Sequence, residues 1–153
     1  MSTVKLTQAL ALAQSHLMGG RVAETEAVCQ AVLRVEPHEP EAHRLLGLAA
    51  YFRQDLDRSV QLLEQAAALR PDWAVCWDNL GFVLKAMGRF EDAEAASRRA
   101  VGVSPGEPGA LCNLATALQA QGMLAEASTH FEEALSRASD QPTIRSCALL
   151  CQQ

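Results

Sequence analysis

The sequence predicts an all-α fold of stacked antiparallel helix pairs, an α-solenoid, and three observations predict it. One period runs through the chain: Pro37, Pro71 and Pro105 stand 34 residues apart, as do Leu12, Leu46, Leu80 and Leu114. A fixed step shared by several columns is the mark of a repeat array. The residue after each of those leucines is small, reading Ala13, Gly47, Gly81 and Ala115. A turn column of Gly20, Gln54, Gly88 and Gly122 falls midway through each unit, and a further column reads Val32, Ala66, Ala100 and Ala134. The units predicted are 6–39, 40–73, 74–107 and 108–141, forming one array over residues 1–153. A hydrophobic fraction of 49% with only 5% aromatic residues suits packing by alanine and leucine.

Each element follows from local chemistry. Residues 1–5 are expected to fray. The first helix, 6–18, places Leu6, Ala9, Leu10, Ala13 and Leu17 at spacings of three and four, and Gly19-Gly20 ends it because glycine accepts a positive φ. The second, 22–35, carries Glu24 in its first turn, favourable to the helix dipole, and stops before Pro37. In the next unit Pro40 suits a first helical position, and the helix it opens reaches about Arg53. Asp55 is the expected cap of the following helix, which turns Val60, Leu63, Ala66, Ala67 and Leu69 inward. Asp72 is the expected cap of the third unit. Pro108 and Pro142 read as helix starts, while Glu91, Asp92 and Glu126 place negative charge in first turns. Residues 142–153 make half a unit, read either as a terminal capping helix carrying Ile144, Ala148 and Leu149 or as a truncated fifth repeat.

The third unit contains Trp77, Leu80, Gly81, Ala93 and Pro105. These residues resemble the signature of the tetratricopeptide repeat, W-x2-L-G-x2-Y, then A-x3-F, then P. The unit departs from it at Leu84 and Ser97, which stand where Tyr and Phe are usual. The fourth unit keeps Ala127 and Phe131, with Ala115 for Gly and Ser139 for Pro. The second matches through His43, Leu46, Gly47, Ser59, Leu63 and Pro71. The first is the most divergent, with Ala9, Leu12, Ala13, Thr25, Cys29 and Pro37 in the same columns. The resemblance spans roughly residues 6–139. It implies a right-handed superhelix whose first helices line a concave groove, and a non-enzymatic scaffold that holds a protein or peptide segment there. The alternative is an N-terminal recognition module of a larger bacterial enzyme, a glycosyltransferase or sulfotransferase. Self-association through the solenoid ends is a third option.

The groove residues implied are Arg44, Leu48 and Tyr51 in the second unit, Asp78, Asn79, Phe82 and Lys85 in the third, and Asn113 and Thr116 in the fourth. Asn79 and Asn113 share a column. A carboxamide both donates and accepts, so such a column suits an extended peptide backbone, and it resembles the asparagine ladder of O-linked N-acetylglucosamine transferases. The bland alternative is two solvated polar residues. Leu45, Leu48, Tyr51 and Phe82 form an apolar stretch of the kind that marks partner sites, unless Tyr51 and Phe52 pack between helices. The family's carboxylate clamps need Asn where Leu48 stands and cations where Gly109 and Asn113 stand. Binding of acidic chaperone tails is therefore not expected.

Other classes are disfavoured. The net charge is −5, and the densest basic pair is Arg98-Arg99, so neither nucleic acid nor an anionic membrane is an expected partner. No apolar run approaches the ~20 residues that span a bilayer. Five cysteines, an odd count without a CxxC, point to a reducing compartment, and the cytoplasm is expected. Lysine occurs only at Lys5 and Lys85 among 13 basic residues, a skew associated with GC-rich bacterial genomes. There is no Ser–His–Asp arrangement, phosphate loop or HExxH, and His38 and His43 lack metal-ligand spacing. No catalytic residue, metal or cofactor is expected.

Overall fold

The structure, a computed structural model, describes residues 3–137. Among them the chain forms α1 (Thr3–Met18), α2 (Val22–Val35), α3 (Pro40–Phe52), α4 (Leu56–Leu69), α5 (Ala74–Ala86), α6 (Phe90–Val103), α7 (Pro108–Ala120) and α8 (Leu124–Arg137). The array divides into two compact units, residues 1–71 with α1–α4 and residues 72–153 with α5–α8. Successive helices pair as hairpins, α1 on α2 and α3 on α4 in the first unit, α5 on α6 and α7 on α8 in the second. The helices keep the expected period. Helix α1 begins at Thr3 rather than at residue 6. The half-unit 142–153 lies outside the described residues.

Every hairpin turns in the same way. Gly20, Gln54, Gly88 and Gly122 have φ of 72°, 64°, 75° and 80°, and Gln54 is the one among these four that is not glycine. The N–H after each reaches five residues back, as in Asp55 to the Ala50 carbonyl at 3.0 Å and Arg89 to the Leu84 carbonyl at 3.0 Å. That is the hydrogen bond of a Schellman closure, which satisfies carbonyls a helix end leaves orphaned.

In the first unit, Ala13, Leu17, Cys29, Val32, Ala42, Leu45, Leu46 and Ala49 form one buried core. The small column exists because helices approach closely there. A Cβ on Gly47 would lie 2.8 Å from Leu63 Cγ. The same closeness lets Ser59 Oγ donate to the Gly47 carbonyl at 2.7 Å and Thr25 Oγ1 to the Ala13 carbonyl at 3.3 Å. In the second unit, Leu111, Leu114, Ala115, Leu118, Ala127, Phe131 and Ala134 form one buried cluster on α7 and α8, and Leu80, Val83, Leu84, Ala93 and Ala100 are buried on α5 and α6. A Cβ on Gly81 would meet Ser97 Oγ at 2.6 Å, and that buried hydroxyl has no hydrogen-bond partner.

Two local expectations need correction. Trp73, in an extended conformation, is the N-cap residue of α5, and no side chain caps it; Asp72 stands one residue too early. Asp55 caps α4 as expected, accepting from the Arg58 N–H at 3.3 Å. Leu69 is exposed rather than turned inward, as is Val103 in the same column of α6. Leu12 is 50% exposed. It lies on a face of α1 shared with Gln8 and Ser15, whose columns in α3 hold the buried Ala42 and Ala49, so that face of α1 is largely polar.

Candidate functional site

The second unit brings most of the expected residues together on the first helices of its two hairpins. Asp78, Phe82 and Lys85 lie on α5 at spacings of four and three, hence on one face, and α7 packs beside α5. From α7, Asn113 bridges the two charges: its Nδ2 donates to Asp78 Oδ1 at 2.8 Å, and its Oδ1 accepts from Lys85 Nζ at 2.7 Å. A carboxamide is suited to that role, since one end donates and the other accepts. Lys85 Nζ also stands 5.4 Å from the centre of the Phe82 ring, a cation–π contact. Phe82 remains 37% exposed.

Asn113 is therefore engaged at both ends and does not present an open rung of a ladder. Asn79, its column mate, is half-buried, and its Nδ2 is buried without a hydrogen-bond partner. Thr116 turns its hydroxyl back on its own helix, donating to the Cys112 carbonyl at 2.7 Å. Trp77 lies under the Arg99 guanidinium, 5.2 Å from ring centre.

Beside this network lies a cavity of about 130 Å³ lined by Ala74, Val75, Asp78, Ser104, Glu107 and Ala110. Burial pushes the Asp78 carboxyl above its ordinary value; the bond from Asn113 opposes this, the charge of Glu107 adds to it and Lys85 opposes it. Sequence reading missed Glu107 and Ser104. The signal for Glu107 was present in its place before Pro108, which fixes it at a helix start, but not in any pattern that says where its carboxylate turns.

In the first unit the expected residues behave differently. Arg44, expected on the open face, is only 7% exposed. Its guanidinium grips Glu41 through both carboxylate oxygens, at 2.8 and 2.6 Å, one turn earlier on α3. Leu45 is core rather than lining, and Leu48 is half-buried against that core. Tyr51 packs edge-on to Phe52 with centroids 5.7 Å apart, and Phe52 is 58% exposed. Among the described residues no group of three or more His, Cys, Asp or Glu side chains could hold a metal ion, and no helix is long and apolar enough to cross a membrane.

Comparison with known proteins agrees with this geometry. The peroxisomal targeting signal receptor of Eremothecium gossypii is 34% identical over 98 residues, 64% of this chain and 17% of the receptor. The chain thus spans about a sixth of the curated relatives it matches. The PilF structure of Pseudomonas aeruginosa superposes with a TM-score of 0.87 at 19% identity, over 95% of this chain and 67% of that one. A mutant O-GlcNAc transferase of Thermobaculum terrenum gives 0.80 at 28% identity, over 90% of this chain and 27% of that one. Two family models, both described as tetratricopeptide repeat, match residues 10–72 and 73–140. With the period, the four left-handed bends and these matches in agreement, the chain belongs to the tetratricopeptide repeat family.

Proposed function

We propose that this protein is a non-enzymatic scaffold, acting in the cytoplasm, that binds an extended segment of a partner protein on the α5–α7 face. The observation that carries the reading is the Asp78–Asn113–Lys85 bridge with Phe82 beside it. Three polar groups are held in fixed directions next to a partly exposed ring, the combination of orienting polar groups and apolar anchor that recognition sites use. Similarity to receptors for a targeting signal supports a peptide as the guest. The family hosts many partners, so the residues of the face, not the fold, carry the argument.

A photo-crosslinking residue placed at position 82 of the full chain tests it. Partner peptides are expected to crosslink there and not from exposed Ala125 on α8. Phe82→Ala is expected to weaken a captured partner about tenfold, the scale of a single anchor, with unchanged circular dichroism. Crosslinks spread equally over both positions would remove the face from consideration.

The similarity to an O-GlcNAc transferase over 27% of its length favours a second reading, a recognition module within a longer enzyme. The reading frame after Gln153 decides it: a stop codon there eliminates the module, and an in-frame catalytic domain establishes it.

A further inference from the structure

We infer that the cavity between the start of α5, the end of α6 and the start of α7 receives a lysine side chain of the partner segment. The inference rests on the partner-binding reading of the α5–α7 face and names what that face selects. Two kinds of lining carry it. Ala74, Val75 and Ala110 supply aliphatic walls, while Asp78 and Glu107 supply two carboxylates. An aliphatic stem ending in a cation is the side chain that matches both at once. The size agrees: about 130 Å³ is several times the ~30 Å³ share of one liquid water, enough for a side chain and too small for a folded element. No basic residue is among those lining it.

The placement of Glu107 is independent of Asp78. Glu39 holds the same place in its own repeat, immediately before Pro40, and there the carboxylate caps the helix by accepting from the Glu41 N–H at 3.2 Å. Glu107 precedes Pro108 in the same way and makes no capping hydrogen bond. It forgoes the cap and lines the cavity instead, close enough to Asp78 to disfavour that residue's charge. Two carboxylates brought together without a cation among the lining residues are complementary to one from outside. Lysine fits better than arginine. Asn113 already occupies Asp78 Oδ1, and the remaining acceptors come from two separate helices. They suit a compact ammonium with three rotatable donors more than a planar fork that wants both oxygens of one carboxylate.

The test is a ¹⁵N-¹H correlation titration of the full chain with N-acetyl-lysine methylamide, N-acetyl-norleucine methylamide and N-acetyl-arginine methylamide. The lysine compound is expected to shift the amides of Val75, Asp78, Glu107 and Ala110, and the norleucine compound to leave them in place. Glu107→Gln is expected to weaken the lysine response about tenfold, the scale of one lost hydrogen bond to a charged group. Equal responses to lysine and norleucine, a lysine response that survives Glu107→Gln combined with Asp78→Asn, or a stronger response to arginine would each overturn the inference. A normal lysine response together with no partner crosslink at position 82 would instead overturn the wider reading alone.

Discussion

Ser59 Oγ donates to the Gly47 carbonyl at 2.7 Å across the α3–α4 hairpin, while Ser97, on α6, is buried with its hydroxyl unsatisfied. The two serines differ in their place within the repeat: Ser59 stands in the column of Thr25 and Ala93, and Ser97 stands four residues further on, in the column of Cys29, Leu63 and Phe131. Replacing either by alanine removes one hydroxyl, yet the effects are expected to have opposite sign. Ser59→Ala loses a buried hydrogen bond and is expected to destabilise by about 1 kcal/mol, whereas Ser97→Ala relieves a desolvated group and is expected to stabilise by a comparable amount. Urea unfolding of both variants checks the signs.

Gln54 pays a conformational penalty that its three column mates avoid. At φ of 64° a side chain crowds its own backbone, and glycine does not. Gln54→Gly is expected to raise stability by about 0.5–1 kcal/mol, after the entropy that glycine costs in the unfolded chain. Thermal unfolding followed by circular dichroism measures it; no gain would mean that Gln54 makes compensating contacts.

Asp78 gives a pH dependence whose sign can be worked out. Its folded carboxyl titrates above the ordinary value of 3.8. Between those two values the folded state holds a proton that the unfolded state has lost, so stability falls as pH rises through that window. The resulting cost is present at neutral pH and absent below 3.8. Asp78→Asn keeps an oxygen for Asn113 and cannot ionise. It is expected to be more stable than wild type at pH 7, with the two curves converging in acid; a constant difference at all pH would assign the effect to packing.

Cys29 acts at the alkaline end. Burial, helped by the charge of Glu41 and opposed by Arg44, pushes its thiol from 9.0 up to about 12. Its share of stability is intact below pH 9 and is lost as pH rises toward 12, about 1 kcal/mol by pH 10. Cys29→Ala should lack this part of the alkaline slope. The native thiol should also resist iodoacetamide at pH 8 until urea opens the helices. Rapid alkylation of native Cys29 would contradict its burial.

The sequence made the helix pairs and their bends legible because both depend on local rules. A period of 34 needs only columns, and a left-handed bend needs only a residue that tolerates it. The candidate site was legible in part. Asp78, Phe82 and Lys85 share a helix face by spacing alone. That Asn113 is consumed by its neighbours, that Arg44 folds onto Glu41 and that Glu107 leaves its cap depend on which partner a side chain chooses among several within reach. No spacing rule encodes that choice. Leu69 was misplaced for a related reason: period assigns a column, but burial requires a neighbour to cover it.

The shared hydrogen-bond scheme of the four bends makes them interchangeable parts. A dipeptide cut from one bend, such as Met87-Gly88, meets the same geometry at Arg53-Gln54. Chains shuffled at these joints should therefore still close their hairpins, provided that Asp55 is kept to cap the helix that follows.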